Sequence, residues 1–106
     1  MSGQIRASHI LVSHDEADGG LSELTRDDAL AQIGALHERI KNGEDFAQVA
    51  REHSDCPSAR SGGDLGSFGK GAMVPEFEQA AFGLGVGETS EVVETAFGFH
   101  LIQRTG

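Results

Sequence analysis

Tryptophan and tyrosine are missing from this sequence, cysteine occurs once, and its 106 residues include only two prolines and two lysines. A single cysteine forms no internal disulfide, so the fold does not depend on an oxidising compartment. Six phenylalanines are the only aromatic residues apart from histidine, a poor supply of platforms for stacking bases. Basic residues are scarce too: 8 Lys and Arg face 17 Asp and Glu, for a net charge of −9. A chain this acidic repels nucleic acid and anionic membrane surfaces, which are bound through clustered cations. No apolar run approaches the roughly 20 residues that span a bilayer. The start, MSGQIRASHILV, lacks the long apolar stretch and small-residue cleavage site of a secretory leader. The expectation is a cytoplasmic protein, monomeric for want of an obvious exposed apolar stripe. With no repeat, low-complexity tract or linker, residues 1–106 read as one domain.

Several chemistries fail on spacing. Gly69-Lys70 is half of a phosphate loop, but Asp64 stands where the motif needs its first glycine and Gly71 where it needs Ser or Thr. A carboxylate there has the wrong sign for a phosphate. Gly83, Gly85 and Gly87 give G-x-G-x-G with no helix opening behind them, so the dinucleotide fingerprint fails too. Five histidines and one cysteine contain no C-x-x-C or H-x-x-x-H pair, which argues against a metal site. His14, His37 and His53 read as surface or helix-flank residues. A hydrolytic cysteine needs a histidine oriented by a third group. His9 and His100 could meet Cys56 in space, but no orienting carboxylate or oxyanion hole is evident.

The pattern predicts an α+β domain on an antiparallel sheet, since the regular βαβ alternation is absent. Gln4 to Ser13 is a strand with Ile5, Ala7, His9 and Leu11 on one face and Ser8, Ile10 and Val12 on the other. Both faces are largely apolar, which marks a central strand. Thr25 caps a helix whose stripe is Ala29, Leu30, Ile33, Leu36, His37 and Ile40, stopped by Asn42-Gly43. A second helix runs from about Asp45 to Ser54, and an extended piece from about Asp64 to Phe68. Pro75 and Gly83 bracket a short helix, and SEVVET and FHLIQRT are strands joined at TAFG.

What no element absorbs is a scattered set: His9 and His100 in mid-strand, Cys56 after an acidic turn, Thr95 at a strand end, and Leu65, Met73, Phe77 and Phe97 nearby. Each alone is most simply a core residue or a satisfied buried histidine. Four segments, taken in order, carry more. These are ASHILV at Ala7–Val12, NGEDFAQVAREHSDCPSA at Asn42–Ala59, GGDLGSFGKGAMVPEFEQAAF at Gly62–Phe82 and TAFGFHLI at Thr95–Ile102.

Together they resemble the parvulin family of peptidyl-prolyl cis/trans isomerases over essentially the whole chain. The resemblance implies a four-stranded antiparallel sheet surrounded by about four helices, in the order β-α-α-α-β-α-β-β. It implies His9 and His100 as the paired strand histidines, Cys56 as the active-site cysteine and Thr95 as the hydroxyl bonded within the pair. Leu65, Met73, Phe77 and Phe97 match the pocket for the substrate's proline ring. No cofactor or metal is implied, because rotation about an amide breaks no bond. Cys56 has no adjoining base with an activating partner, which favours a noncovalent role. The family's phosphate-directed branch carries a basic cluster in the loop after the first strand. That loop here is SHDEADGG, with Ser13, Asp15, Glu16 and Asp18 and no cation. The expected partners are therefore unphosphorylated, proline-containing polypeptides in need of folding. A polypeptide-binding chaperone domain that uses the same groove without catalysis is the alternative.

Overall fold

The computed structural model describes residues 3–17 and 22–106; Asp18, Gly19, Gly20 and Leu21 of the acidic loop lie outside the described residues. Four strands form one sheet in the order β2-β1-β4-β3. They are β1 (Gln4–Val12), β2 (Asp64–Gly69), β3 (Val93–Thr95) and β4 (Gly98–Arg104), and every neighbouring pair is antiparallel. β1 is central, as its two apolar faces require.

Helices cover both sides. α1 (Arg26–Lys41) starts where the Thr25 hydroxyl accepts the Asp28 N–H at 3.1 Å, with Asp27 and Asp28 at its positive end and Arg39 and Lys41 at the other. α2 (Phe46–His53) is capped the same way by Asp45 on the Gln48 N–H. Ala29, Ile33 and Leu36 of α1 and Phe46, Val49 and Ala50 of α2 pack on Ile10, Val12, Phe99 and Leu101 of the central strands. Leu30, expected in the α1 stripe, is instead 42% exposed. Below the sheet, α3 (Pro75–Phe82) buries Phe77 and Ala81 against Ile5, Ala7, Phe68 and Ile102.

Three local departures from the expected pattern have physical causes. Pro57–Ser61 forms a 3-10 turn, so the fourth helical element is this one rather than an α-helix. SEVVET is regular only from Val93, because Ser90 interrupts the ladder: its hydroxyl, not its carbonyl, takes the Ile102 N–H at 3.0 Å. His14 is not a surface residue but 5% exposed, its ring 5.6 Å from that of Phe99 and its Nδ1 accepting the Glu16 N–H. The neighbouring Arg26 and Glu94 form a two-point ion pair at 2.9 and 2.7 Å. His37 on α1 and His53 at the end of α2 do flank helices, the latter bonded to Arg39 at 3.0 Å.

Candidate active site

Register assembles the polar row. His9 stands opposite Ile102, and Leu11 opposite His100, so the two histidines are diagonal neighbours on the α3 face. Val93 stands opposite His100 and Thr95 opposite Gly98, which sets Thr95 one further diagonal step away. His9, His100 and Thr95 thus form a line across three adjacent strands. Nδ1 of His9 lies 3.2 Å from Nδ1 of His100, and Nε2 of His100 lies 2.7 Å from the Thr95 hydroxyl. The rings stack 5.3 Å apart with an interplanar angle of 22°, and Phe77 presents its edge geometry to both at 5.5 Å.

All three polar residues are buried, with exposures of 6%, 4% and 7% for His9, His100 and Thr95. Burial disfavours the imidazolium and lowers both histidines from 6.5 to about 4; for His100, the charge His9 would carry lowers it further. The pair is neutral at pH 7. One tautomer arrangement satisfies most of the row. Thr95 accepts the Phe97 N–H at 3.2 Å and keeps its O–H to donate; when that O–H goes to Nε2 of His100, the Nδ1–H of His100 donates to Nδ1 of His9. Nε2 of His9 then carries hydrogen and has no protein partner among the described residues.

Cys56 lies on a strap that is tied to β1 at both ends. Ser54 Oγ accepts the N–H groups of Leu11 and Cys56, at 3.0 and 3.3 Å. Asp55 donates its N–H to the Leu11 carbonyl and accepts the Ser13 N–H through its carboxylate. At the far end the Gly63 carbonyl takes the His9 N–H at 2.9 Å. Gly63 has φ +85°, and a Cβ there would overlap the His9 carbonyl, so only glycine lets the strap lie this close. Cys56 is half-buried at the start of the 3-10 turn. Sequence reasoning had not singled out Ser54 and Asp55; two side-chain acceptors directly ahead of a Cys-Pro were the available signal.

Leu65 owes its orientation to a bulge. Between Arg6 paired with Ser67 and Ser8 paired with Asp64, one residue of β1 faces two of β2, Leu65 and Gly66. The extra residue reverses the alternation and brings Leu65 onto the face of Phe68. Gly66 adopts φ +72°, and Asp64 takes its N–H at 2.9 Å. Leu65 and Met73 therefore pack, half-buried, in the cluster that holds Phe77. Phe97 is the outlier of the expected set. It stands on the turn between β3 and β4, 46% exposed, and is not part of that cluster. A separate shallow hollow of about 640 Å³ lies at the opposite end of β1, lined by Gly3, Gln4, Ile5, Gly69, Lys70, Phe82 and Arg104. It contains none of the polar row. Among the described residues no group of three His, Cys, Asp or Glu could hold a metal, and no helix is long and apolar enough to cross a membrane.

The α3 face of the sheet thus carries a stacked pair of buried histidines, both set edge-on to Phe77. Residues 9–106 match the family described as Rotamase, the PPIC-type PPIASE domain. The chain is 46% identical over 116 residues to the peptidyl-prolyl cis-trans isomerase Pin1 of Digitalis lanata, covering 99% of this chain and 98% of that one. It is 45% identical to the foldase protein PrsA of Halalkalibacterium halodurans, over 93% of this chain and 26% of that protein. Among solved structures, the peptidyl-prolyl isomerase ESS1 from Candida albicans superposes with a TM-score of 0.94 at 41% identity, over 98% of this chain and 63% of that one. The chain belongs to the parvulin-type peptidyl-prolyl cis/trans isomerases. Its activity is accordingly rotation about the peptide bond that precedes proline.

Proposed function

We propose that this isomerase acts on unphosphorylated, flexible polypeptides, gripping proline among Leu65, Met73 and Phe77 and rotating the preceding bond beside Cys56. The uncatalysed barrier, about 18–20 kcal/mol, comes from amide resonance, which a twisted bond loses. A dry apolar slot that fixes the proline ring while the preceding residue swings favours the twisted amide over either planar form. Each ~1.4 kcal/mol of that preference speeds rotation about tenfold. The carrying observation is the neutral His9–His100–Thr95 row behind Phe77: a stiff, uncharged floor suits a reaction that moves no proton. Cys56, on the strap above β1, fits a polar contact to the carbonyl as it leaves resonance, without covalent attack.

Charge at the β1 end of the site supports the substrate preference. Asp15 and Glu16 are exposed there, and Arg26, the nearby cation, is committed to Glu94. The strap carries a single guanidinium, Arg60, which is exposed. A phosphate or carboxylate on the residue before proline meets net repulsion. The foldase among the relatives lends further weight to clients in the course of folding. The test is a protease-coupled assay on tetrapeptides that differ only before proline. Leucine, alanine and arginine are expected to be turned over fastest, and phosphoserine and glutamate slowest. A preference for phosphoserine or glutamate would sink the proposal, and the same assay separates catalysis from mere polypeptide binding.

A further inference from the structure

The geometry points to Glu78 as a positioning residue that sets the width of the proline pocket, a role that rests on reading Leu65, Met73 and Phe77 as its walls. Two of those walls are anchored in regular structure. Phe77 is on α3, 3% exposed, and Leu65 is on β2, where Asp64 holds Gly66 and is itself held by Arg6 at 3.3 Å. Met73 is different. It sits in the Lys70–Val74 connection between β2 and α3, which is held at its end by the Val74 carbonyl on the Glu78 N–H at 2.9 Å, but in its turn by the backbone only from the Ala72 N–H to the Gly69 carbonyl at a long 3.4 Å.

What supplements that weak bond is a carboxylate. Oε1 of Glu78 accepts the Gly71 N–H at 2.5 Å. A hydrogen bond to an ionised acceptor is roughly twice as strong as a neutral one. Glu78 follows Phe77 directly on α3, so one turn of helix presents a pocket wall inward and the anchor of the opposite wall outward. Gly71 holds φ +93°, a conformation the anchored turn needs and a side chain resists. Met73, two residues on, is thereby set at a fixed distance from Phe77. The pocket's fit to a five-membered ring depends on that distance.

The experiment compares kcat/KM for tetrapeptides identical except that proline is replaced by its six-membered homologue, pipecolate. The quantity read is the pipecolate-to-proline ratio within one enzyme, which cancels differences in folded fraction. Glu78→Ala is expected to raise the ratio at least about threefold, since sub-ångström misplacement in a site costs appreciable rate. Glu78→Gln keeps an oxygen acceptor of the same reach and holds the ratio within about twofold of the parent, well inside what a fully displaced wall costs. Glu76→Ala removes another first-turn carboxylate of α3 and leaves the ratio unchanged, which separates anchoring from helix-dipole effects. Gly71→Ala strains the same turn without touching Glu78, and is expected to move the ratio in the same direction as Glu78→Ala; it serves if that variant does not fold. An unchanged ratio in Glu78→Ala, or an equal rise in Glu78→Gln, overturns the role. Met73→Ala distinguishes the two levels. If it moves the ratio and Glu78→Ala does not, only the role of Glu78 falls; if neither moves it, the pocket itself is misassigned.

Discussion

The two faces of the sheet are built on the same pair of central strands, yet they differ in kind. Toward α1 and α2, the strands offer Ile10, Val12, Phe99 and Leu101, an apolar layer with the buried Ser8 and His14 at its margins. Toward α3 they offer Ile5, Ala7 and Ile102, and then His9 and His100, with Thr95 beyond. The apolar layer has no hydrogen bonds to satisfy, whereas the other face buries a nitrogen of His9 with no partner among the described residues; Ser58 Oγ on the strap is the second such atom among them. An unsatisfied buried polar group costs about 1–3 kcal/mol. The difference teaches that the first face is built for packing alone, while the second accepts a cost in stability to bury a neutral polar row behind the proposed proline pocket.

Paired core deletions test that division most severely. Phe77→Ala is expected to lower kcat/KM by at least roughly a hundredfold, about 2.7 kcal/mol of lost transition-state preference, because it removes a pocket wall. Ile33→Ala, fully buried in α1 against the other face, is expected to cost about 2–5 kcal/mol of stability. Its kcat/KM per folded molecule stays close to that of the parent. If Ile33→Ala impaired turnover as much as Phe77→Ala, the division of labour would fail.

Acid probes the cost of the histidine face. Both pKa values are depressed on folding, from 6.5 to about 4, so the unfolded chain takes up protons first. Stability is therefore fully present above pH 6.5 and is lost as pH falls toward 4, by roughly 3 kcal/mol for one ring shifted that far. Chemical denaturation at a series of pH values measures this loss. A double His9→Phe, His100→Phe variant flattens the profile between those limits; a profile as steep as the parent's would mean that other groups are responsible.

The smallest change tests the row itself. Thr95→Val keeps the shape but removes the partner of His100 Nε2 and of the Phe97 N–H. The expected cost is about 1–3 kcal/mol of stability, with turnover reduced because the histidine pair loses its fixed tautomer. Thr95→Ser is expected to restore most of both. Imidazole nitrogen shifts in the NMR spectrum report the tautomer directly, and an unaltered spectrum in Thr95→Val would remove Thr95 from the row.

Much of the architecture was legible before any coordinates, since it is written in local chemistry. Thr25 and Asp45 cap their helices through single side chains, Pro75 opens α3, and the two apolar faces of β1 mark it as central. Three features resisted such reading because they depend on residues distant in the chain. The position of Leu65 follows from a bulge opposite Ala7, the shortness of β3 from the Ser90 hydroxyl entering the ladder, and the burial of His14 from the closeness of Phe99. Phe97, grouped with the pocket by its motif, stands half exposed on a tight turn.

By itself, then, the sequence determined the element types, the acidic character, the exclusion of phosphate-loop and zinc spacings, and the family likeness carried by four ordered segments. Those properties follow from propensity, charge and motif, which act over a few residues. Only the tertiary structure decided that His9, His100 and Thr95 fall on one diagonal, that both rings are neutral at pH 7, and that a carboxylate on α3 reaches the turn carrying Met73. Register and burial create these relations, and both arise when strands 91 residues apart in the chain come to lie side by side.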